Sequence, residues 1–594
     1  MGQFYFVESE NGRVIMMLSR VLRTLVISTY ALMILAPVVI AIDRLWAVTG
    51  VAPWQSFGLM NDLSFTEGAL LFTCLISATA SLLTLALGLP LAIVLAKYEW
   101  KNIAFIRAIL VLPFVCPAIV AAMGFLVLFD AGGPLNYIGI DLYQQSGIIG
   151  SISVTMGFAN IGHFIALLLA LCWFNISLVI RFVEPTLASM NPDWEDQLKL
   201  LPQGKSLRQR IRHLYAPILA PGIIASAGLT FVFSFTSFAL VRWLAPSADT
   251  LETLMADYGG SAGIFGYRIM SSEIVLACSM VQIVILGLTL WLVSYMQSLH
   301  QSRIAIVAES YRRKQQVKAK FGHKAILTCG VIFAIMPLML TLISSFKMRV
   351  VENGQVSTEW TTLGWQIAWR GDLSYAGAGE ALGYSLIYAV VTLVIAMPLG
   401  WMMAATIHSL EKKGKLFTAK VVDFISFAPL IISAVMAGLG ILLGIIKWFP
   451  SLFAWFLLPV WAHIMMVTPF VVRVMLPALR SMDERYIEQA KILRLDQFQR
   501  FRLIIIPSLK GPVIVASALC LAFSLGEFGA TWVLARTGDW TTLSVLVDDL
   551  MSRPNYFPGV RPAAMASATI LMSLTLALFF ISEKFRDSKD SGGF

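Results

Sequence analysis

Gly204-Lys205-Ser206, in the stretch PQGKSL, carries the residue types that end a phosphate-binding loop. The rest of that loop is missing. Its earlier glycine position is held by Lys199, and the residues before it favour helix rather than strand, so no nucleotide site is expected here. The six histidines (163, 213, 300, 323, 408 and 463) show no metal-ligand spacing, and no paired carboxylates or Ser/His/Asp arrangement stands out. His163 and His463 fall in apolar runs, where packing with a satisfied hydrogen bond is favoured over pore lining. The six cysteines also lie in or beside apolar runs without a C-x-x-C pair, which argues against a disulfide framework or a zinc site. Glu527, in AFSLGEFGATWV, is different. An ionisable group in lipid costs about 3 kcal/mol or more, so a carboxylate there is a functional candidate. Gly526, Gly529 and Ser524 around it allow close backbone approach or leave room for cargo. Two roles stay open for it: lining a passage or gate, or accepting structural hydrogen bonds near one mouth.

The elements that must position these residues are membrane helices. The chain has 594 residues, of which 58% are hydrophobic and 13% charged, with mean hydropathy +0.78, against roughly a quarter charged in soluble proteins. A spanning helix needs about 20 apolar residues. Twelve such runs begin near Val21, Ala69, Ile109, Ile152, Pro217, Glu273, Ala325, Gly379, Ala419, Leu452, Pro507 and Ala563. The expected fold is therefore all-α and polytopic in the lipid bilayer. The first run is too long for a signal-peptide core and is read as a retained helix. The net charge of +10 raises the question of nucleic acid, but its distribution argues against that partner. Lys and Arg collect in alternate loops, notably 299–324 and 408–420, while FDAGGPLNYIGIDLYQQSG has none. Such asymmetry places the basic loops and both termini in the cytoplasm.

The chain also repeats itself. VIRFVEPTLASMNPDWEDQLKLL superimposes on VVRVMLPALRSMDERYIEQAKIL at an offset of 292, setting Asp196 on Glu488 and Lys199 on Lys491. The following segment matches at an offset of 290, with Pro217 on Pro507, Ser234 on Ser524, Ser237 on Glu527 and Phe238 on Phe528. Two extra residues in the first copy, Pro202 and Gln203, account for the difference. Pro90 matches Pro398 and Pro113 matches Pro429; with Pro117 these prolines are candidates to bend spans. The expected organisation is residues 1–298 and 325–594 as two six-helix repeats, joined by a basic linker at 299–324. Six spans per copy return the chain to the same side, so the repeats are parallel about an axis along the membrane normal.

Between apolar runs, ERYIEQAKILRLDQFQRF is helix-prone and amphipathic, too charged for lipid and too apolar for water alone. It calls for a protein partner. Glu488-x-Ala490, then Phe501-x-x-Ile504-x-Ile506-Pro507 and Pro512, resemble the EAA loop of binding-protein-dependent ABC importer permeases. That family's pattern is E-A-A-x-x-x-G, followed by an aromatic, I-x-L-P and another proline. The second copy has Arg494 where the family glycine falls; the first keeps Gly204 but has Asp196, Gln197 and Leu198 in place of Glu-Ala-Ala.

The resemblance implies that each loop forms a coupling helix seated in a groove of a cytoplasmic ATPase, with the two loops docking unequally. The ATPase-coupling residues are then Asp196, Lys199, Gly204, Pro217, Glu488, Ala490, Lys491, Phe501 and Pro507. ATP is expected on a separate dimeric ATPase and no cofactor in this chain. An extracytoplasmic solute-binding protein would deliver cargo to a path near Ser237, Ser524 and Glu527. Two permease halves in one chain resemble the iron(III), thiamine and 2-aminoethylphosphonate importers, and SLGEFGA leans towards the iron(III)/thiamine group, with iron placed first. An ion-coupled secondary transporter also suits twelve helices in two halves, but it needs several buried charges, and Glu527 stands nearly alone. A membrane scaffold without transport is a third reading.

Overall fold

The computed structural model describes residues 10–56, 58, 64–130, 132–142, 161–188, 190, 192–202, 205–260, 269–304, 318–352, 355–374, 376–482, 485, 488–489, 492–493, 495–535, 540–554, 557 and 559–585. Among the described residues nine helices are long and apolar enough to cross a membrane, and counting each of three bent helix pairs as one span gives twelve. They coincide with the twelve runs read from the sequence. The start near Ile152 lies outside the described residues, and that span is described from Ile161.

The helices come in one order, twice. The first series is α1 (Glu10–Thr49), α2 (Ser64–Lys97), α3 (Ile103–Val115), α4 (Ala118–Phe129), α5 (Ile161–Ala188), α6 (Pro192–Leu200), α7 (Ala216–Phe235), α8 (Phe238–Leu244), α9 (Leu251–Gly259) and α10 (Ile269–Ile304). The second is α11 (Phe321–Ser344), an antiparallel hairpin β1 (Lys347–Glu352) and β2 (Gln355–Trp360), α12 (Leu363–Arg370), α13 (Ala378–Lys412), α14 (Leu416–Phe427), α15 (Ala434–Trp448), α16 (Leu458–Ser481), α17 (Lys510–Gly526), α18 (Gly529–Leu534), α19 (Leu543–Ser552) and α20 (Val560–Phe585). In each series the second, fourth and post-loop spans pack together: α2, α5 and α7 in one, α13, α16 and α17 in the other.

The third span of each series is broken. Between α3 and α4 the chain turns by 98° at Cys116-Pro117, where the proline supplies no N–H to continue the helix. Between 416–432 and 434–445 it turns by 87° at Ser433, which sits at φ +62° and accepts from Met436 N at 3.3 Å as the new N-cap. Pro90 and Pro398, by contrast, lie inside continuous helices.

The first helix of each series crosses to the other series. α1 packs on α15, and α11 packs on α4. Both crossings rest on a glycine against a proline: a Cβ on Gly124 would meet the Pro337 carbonyl oxygen at 2.3 Å, and one on Gly440 would meet that of Pro37 at 2.7 Å. Gly124 and Gly440 hold equivalent places eleven residues after the matched Pro113 and Pro429. The absent side chain is what lets the backbones touch. Polar contacts pin α1 to the second series as well: Trp461 Nε1 donates to Met33 O at 3.2 Å and Arg23 Nη1 to Ser409 Oγ at 3.0 Å.

Candidate functional site

Both inter-span loops are built alike. Ser206 and Gln209 form a reciprocal cap, Gln209 N donating to Ser206 Oγ and Ser206 N to Gln209 Oε1, each at 3.3 Å. In the second loop Gln499 N donates to Asp496 Oδ1 at 2.6 Å and Asp496 N to Gln499 Oε1 at 3.0 Å. These are capping boxes at matched positions, satisfying N–H groups that a helix start leaves unpaired. One turn of wider π-helix follows in each, at Ile211–Tyr215 and Phe501–Ile505, immediately before Pro217 and Pro507. A proline has no N–H for the usual bond to the fourth residue back, and the ladder loosens there.

Around this shared frame the side chains differ. Glu195 is the hub of the first loop: Arg210 Nη1 donates to it at 2.9 Å, the Tyr215 hydroxyl donates to its other oxygen, and Lys97 and Lys199 lie at 3.6 and 3.7 Å. Burial pushes the Glu195 carboxyl up, but the Tyr215 hydrogen bond and the three cations outweigh it and hold it below the ordinary range. Asp196 faces outward and pairs with Lys199 at 2.9 Å. The second loop has Ile487 where Glu195 would fall, so the carboxylate of that hub is not repeated there. Glu488 is exposed there, and Phe501 packs edge-on to Trp401 of α13 at 5.8 Å. Gly204, Ala490 and Lys491 lie outside the described residues.

α7 carries the chain about 30 Å from the loop end, at ~1.5 Å for each of its 20 residues. There both series break again, at Thr236-Ser237 and at Glu527-Phe528. The Glu527 side chain is 7% exposed, and its oxygens accept from Ala530 N at 2.8 Å, from Thr531 N at 3.0 Å and from the Thr531 hydroxyl. It therefore closes the first turn of α18, where a helix leaves its N–H groups unpaired and favours negative charge. His463 Nε2 stands 3.3 Å from the same carboxylate and 2.8 Å from Thr531 Oγ1, while its Nδ1 meets Ser524 Oγ at 2.8 Å. Ser524 is buried in that network, and Ser237 precedes α8 at the matching break without capping it. Of the two roles open for Glu527, the geometry is that of a structural acceptor.

Aromatic residues fill the space between the halves. Phe238 and Phe528, aligned across the repeat, stack on each other at 5.5 Å with 14° between their planes. A residue can touch its own repeat mate only near the axis relating the copies, so this pair marks the axis. Phe233 and Phe523, a second matched pair, both contact Phe114, at 6.1 and 5.6 Å, and Phe470 stacks on Phe523 at 4.2 Å. The Arg181 guanidinium lies 5.3 Å from the Phe114 ring centre. Beside the Phe238–Phe528 stack, Asp548 of α19 accepts from Arg242 Nε at 2.8 Å, Trp243 Nε1 at 3.0 Å and Trp532 Nε1 at 2.9 Å. Sequence reasoning missed this cluster, although alignment of Phe238 with Phe528 held the clue. It missed Glu195 too, because the copies were compared for what they share.

Among the described residues no group of three or more His, Cys, Asp or Glu is placed to hold a metal. Two matched sets of spans thus share an aromatic-filled axis and carry paired amphipathic loops at one end. Residues 396–588 match the family described as the binding-protein-dependent transport system inner membrane component. The chain is 25% identical over 564 residues to the thiamine transport system permease protein ThiP of Haemophilus influenzae, covering 93% of this chain and 94% of that one. To the protein of the same name in Brucella abortus it is 24% identical, covering 87% of each. The spermidine/putrescine permease PotC of Escherichia coli matches at 27%, over 45% of this chain and 94% of its own.

Proposed function

We propose that this chain is the fused transmembrane subunit of an ATP-driven thiamine importer. The observation that carries the cargo assignment is the match to a thiamine permease along nearly the full length of both chains. The iron expectation finds no support among the relatives named above. In this reading the loop end faces the cytoplasm, as the basic loops and the positive-inside rule suggest, and an ABC ATPase dimer docks on the loops around Asp196 and Glu488. An extracytoplasmic solute-binding protein delivers thiamine to the opposite end. ATP-driven closure of the dimer turns the halves about the Phe238–Phe528 axis and alternates access to the path. The two loops engage unequally: the first is braced by Glu195, and the second has Ile487 at the matching place and presents an exposed Glu488.

The test is uptake of labelled thiamine into proteoliposomes holding this chain and its ATPase, with binding protein outside and ATP inside. Uptake that needs all three and is competed by unlabelled thiamine supports the proposal. Uptake driven by an imposed ion gradient without the ATPase would transfer the chain to the secondary-transporter class. ATP-dependent uptake of another solute, with thiamine ignored, would overturn the cargo alone.

A further inference from the structure

We infer that Arg242 and Asp548 form a latch across the repeat axis that holds the path shut at the end opposite the coupling loops, and that its rupture sets how readily the permease leaves this state. Arg242 belongs to α8 of the first series and Asp548 to α19 of the second. The carboxylate is almost fully enclosed, 6% exposed, and receives both Arg242 Nε at 2.8 Å and Arg242 Nη2 at 3.4 Å. Its remaining acceptor capacity is taken by one indole from each half, Trp243 and Trp532. The guanidinium also lies 4.7 Å from the Trp532 ring centre, on the cross-axis side. Phe238 and Phe528 stack directly beside it. Every group that neutralises Asp548 from the first half is therefore withdrawn if the halves part here, leaving an ion in an apolar surround. That is a cost concentrated at one point, as a catch requires. Phe238, Arg242 and Trp243 also line a partly open cavity of about 260 Å³, together with Asp249 and Asp257.

The latch presupposes the permease function proposed above, and two readouts keep the claims apart. In nanodiscs with the ATPase subunit and no binding protein, Asp548→Asn and Arg242→Gln are each expected to raise basal ATP hydrolysis about tenfold. The double exchange Arg242→Asp with Asp548→Arg should bring it back towards the starting rate. Without any ATPase, cysteines at Phe238→Cys and Phe528→Cys, in a chain carrying a protease site within 305–317, report whether the halves still meet. A short bis-maleimide, which adds to both thiols, should join the cleaved halves efficiently with Asp548 present and several-fold less with Asp548→Asn. Unchanged cross-linking in Asp548→Asn overturns the latch whatever the ATPase does. Unchanged basal hydrolysis in both single variants, where binding protein still stimulates the unmodified chain, overturns it equally. An ATPase that never responds to this chain counts against the permease reading, and the cross-link still decides the latch.

Discussion

Replacing Glu527 separates a carboxylate that lines a path from one that holds a helix together. In Glu527→Ala the N–H groups of Ala530 and Thr531 lose their acceptor, as do the Thr531 hydroxyl and His463. Each buried donor left unpaired costs about 1–3 kcal/mol, so the two backbone groups alone predict a loss of about 2–6 kcal/mol. Glu527→Gln keeps one oxygen but turns an NH₂ towards a backbone N–H, so roughly half of that loss, about 1–3 kcal/mol, is expected. The assay is thermal unfolding in detergent, with membrane abundance and thiamine uptake measured on the same preparations. Both variants should lower abundance and unfolding temperature, alanine more than glutamine, while uptake per folded Glu527→Gln molecule stays within about twofold. A glutamine variant of unaltered stability that carries nothing would refute the capping account and return Glu527 to the path.

Three further outcomes follow from the same geometry. Gly124→Val and Gly440→Val each drive a side chain into a facing backbone carbonyl, and overpacking of about 1–3 kcal/mol or more should cut the folded yield of both variants in detergent chromatography. Ser206→Ala and Asp496→Ala each remove a cap worth about 1 kcal/mol, and should speed protease cleavage of the corresponding loop without changing assembly of the spans. Glu195 titrates below the ordinary carboxylate range, so its contribution is complete above that range and fades as pH falls through the lower folded value. Protease protection of the first loop should therefore hold from neutral pH down to about 4 and drop below it, whereas Glu195→Gln should be less protected throughout and its protection flatter with pH.

Much of this molecule was legible because a bilayer permits few solutions. The spans among the described residues were found from apolar length alone, and the repeated order of helices is written in aligned residues such as Pro217 with Pro507. The capping boxes could have been read as well, since Ser206-x-x-Gln209 and Asp496-x-x-Gln499 stand at matched places before the prolines. The hairpin at 347–360 was also written in the sequence: Asn353-Gly354 between β-branched residues is a strong short-range turn signal. The crossing of α1 to α15 was not legible. Its signal is a glycine opposite a proline some four hundred residues away, and a lone glycine in an apolar run looks the same whether it meets lipid or a backbone. Nor was the Asp548 cluster, because a carboxylate amid aromatic residues announces burial but not which half supplies its partners.

The crossing changes what counts as a moving part. By sequence the chain divides at its basic linker, yet α1 is fastened to α13, α15 and α16 by Ser409, Gly440 and Trp461, and α11 to the first series by Gly124 and by Trp173, whose Nε1 donates to Ala334 O at 3.1 Å. Each mechanical body is thus made from both sequence halves. A motion that kept residues 1–298 rigid would tear both glycine contacts, whereas one that carries α1 with the second series and α11 with the first leaves them whole. The contacts free to change are then those meeting on the axis: the Phe238–Phe528 stack, the aromatic residues around Phe114, and the Arg242–Asp548 pair. A rotation imposed at the loops is therefore taken up at the axis, where the Arg242–Asp548 pair of the proposed latch lies.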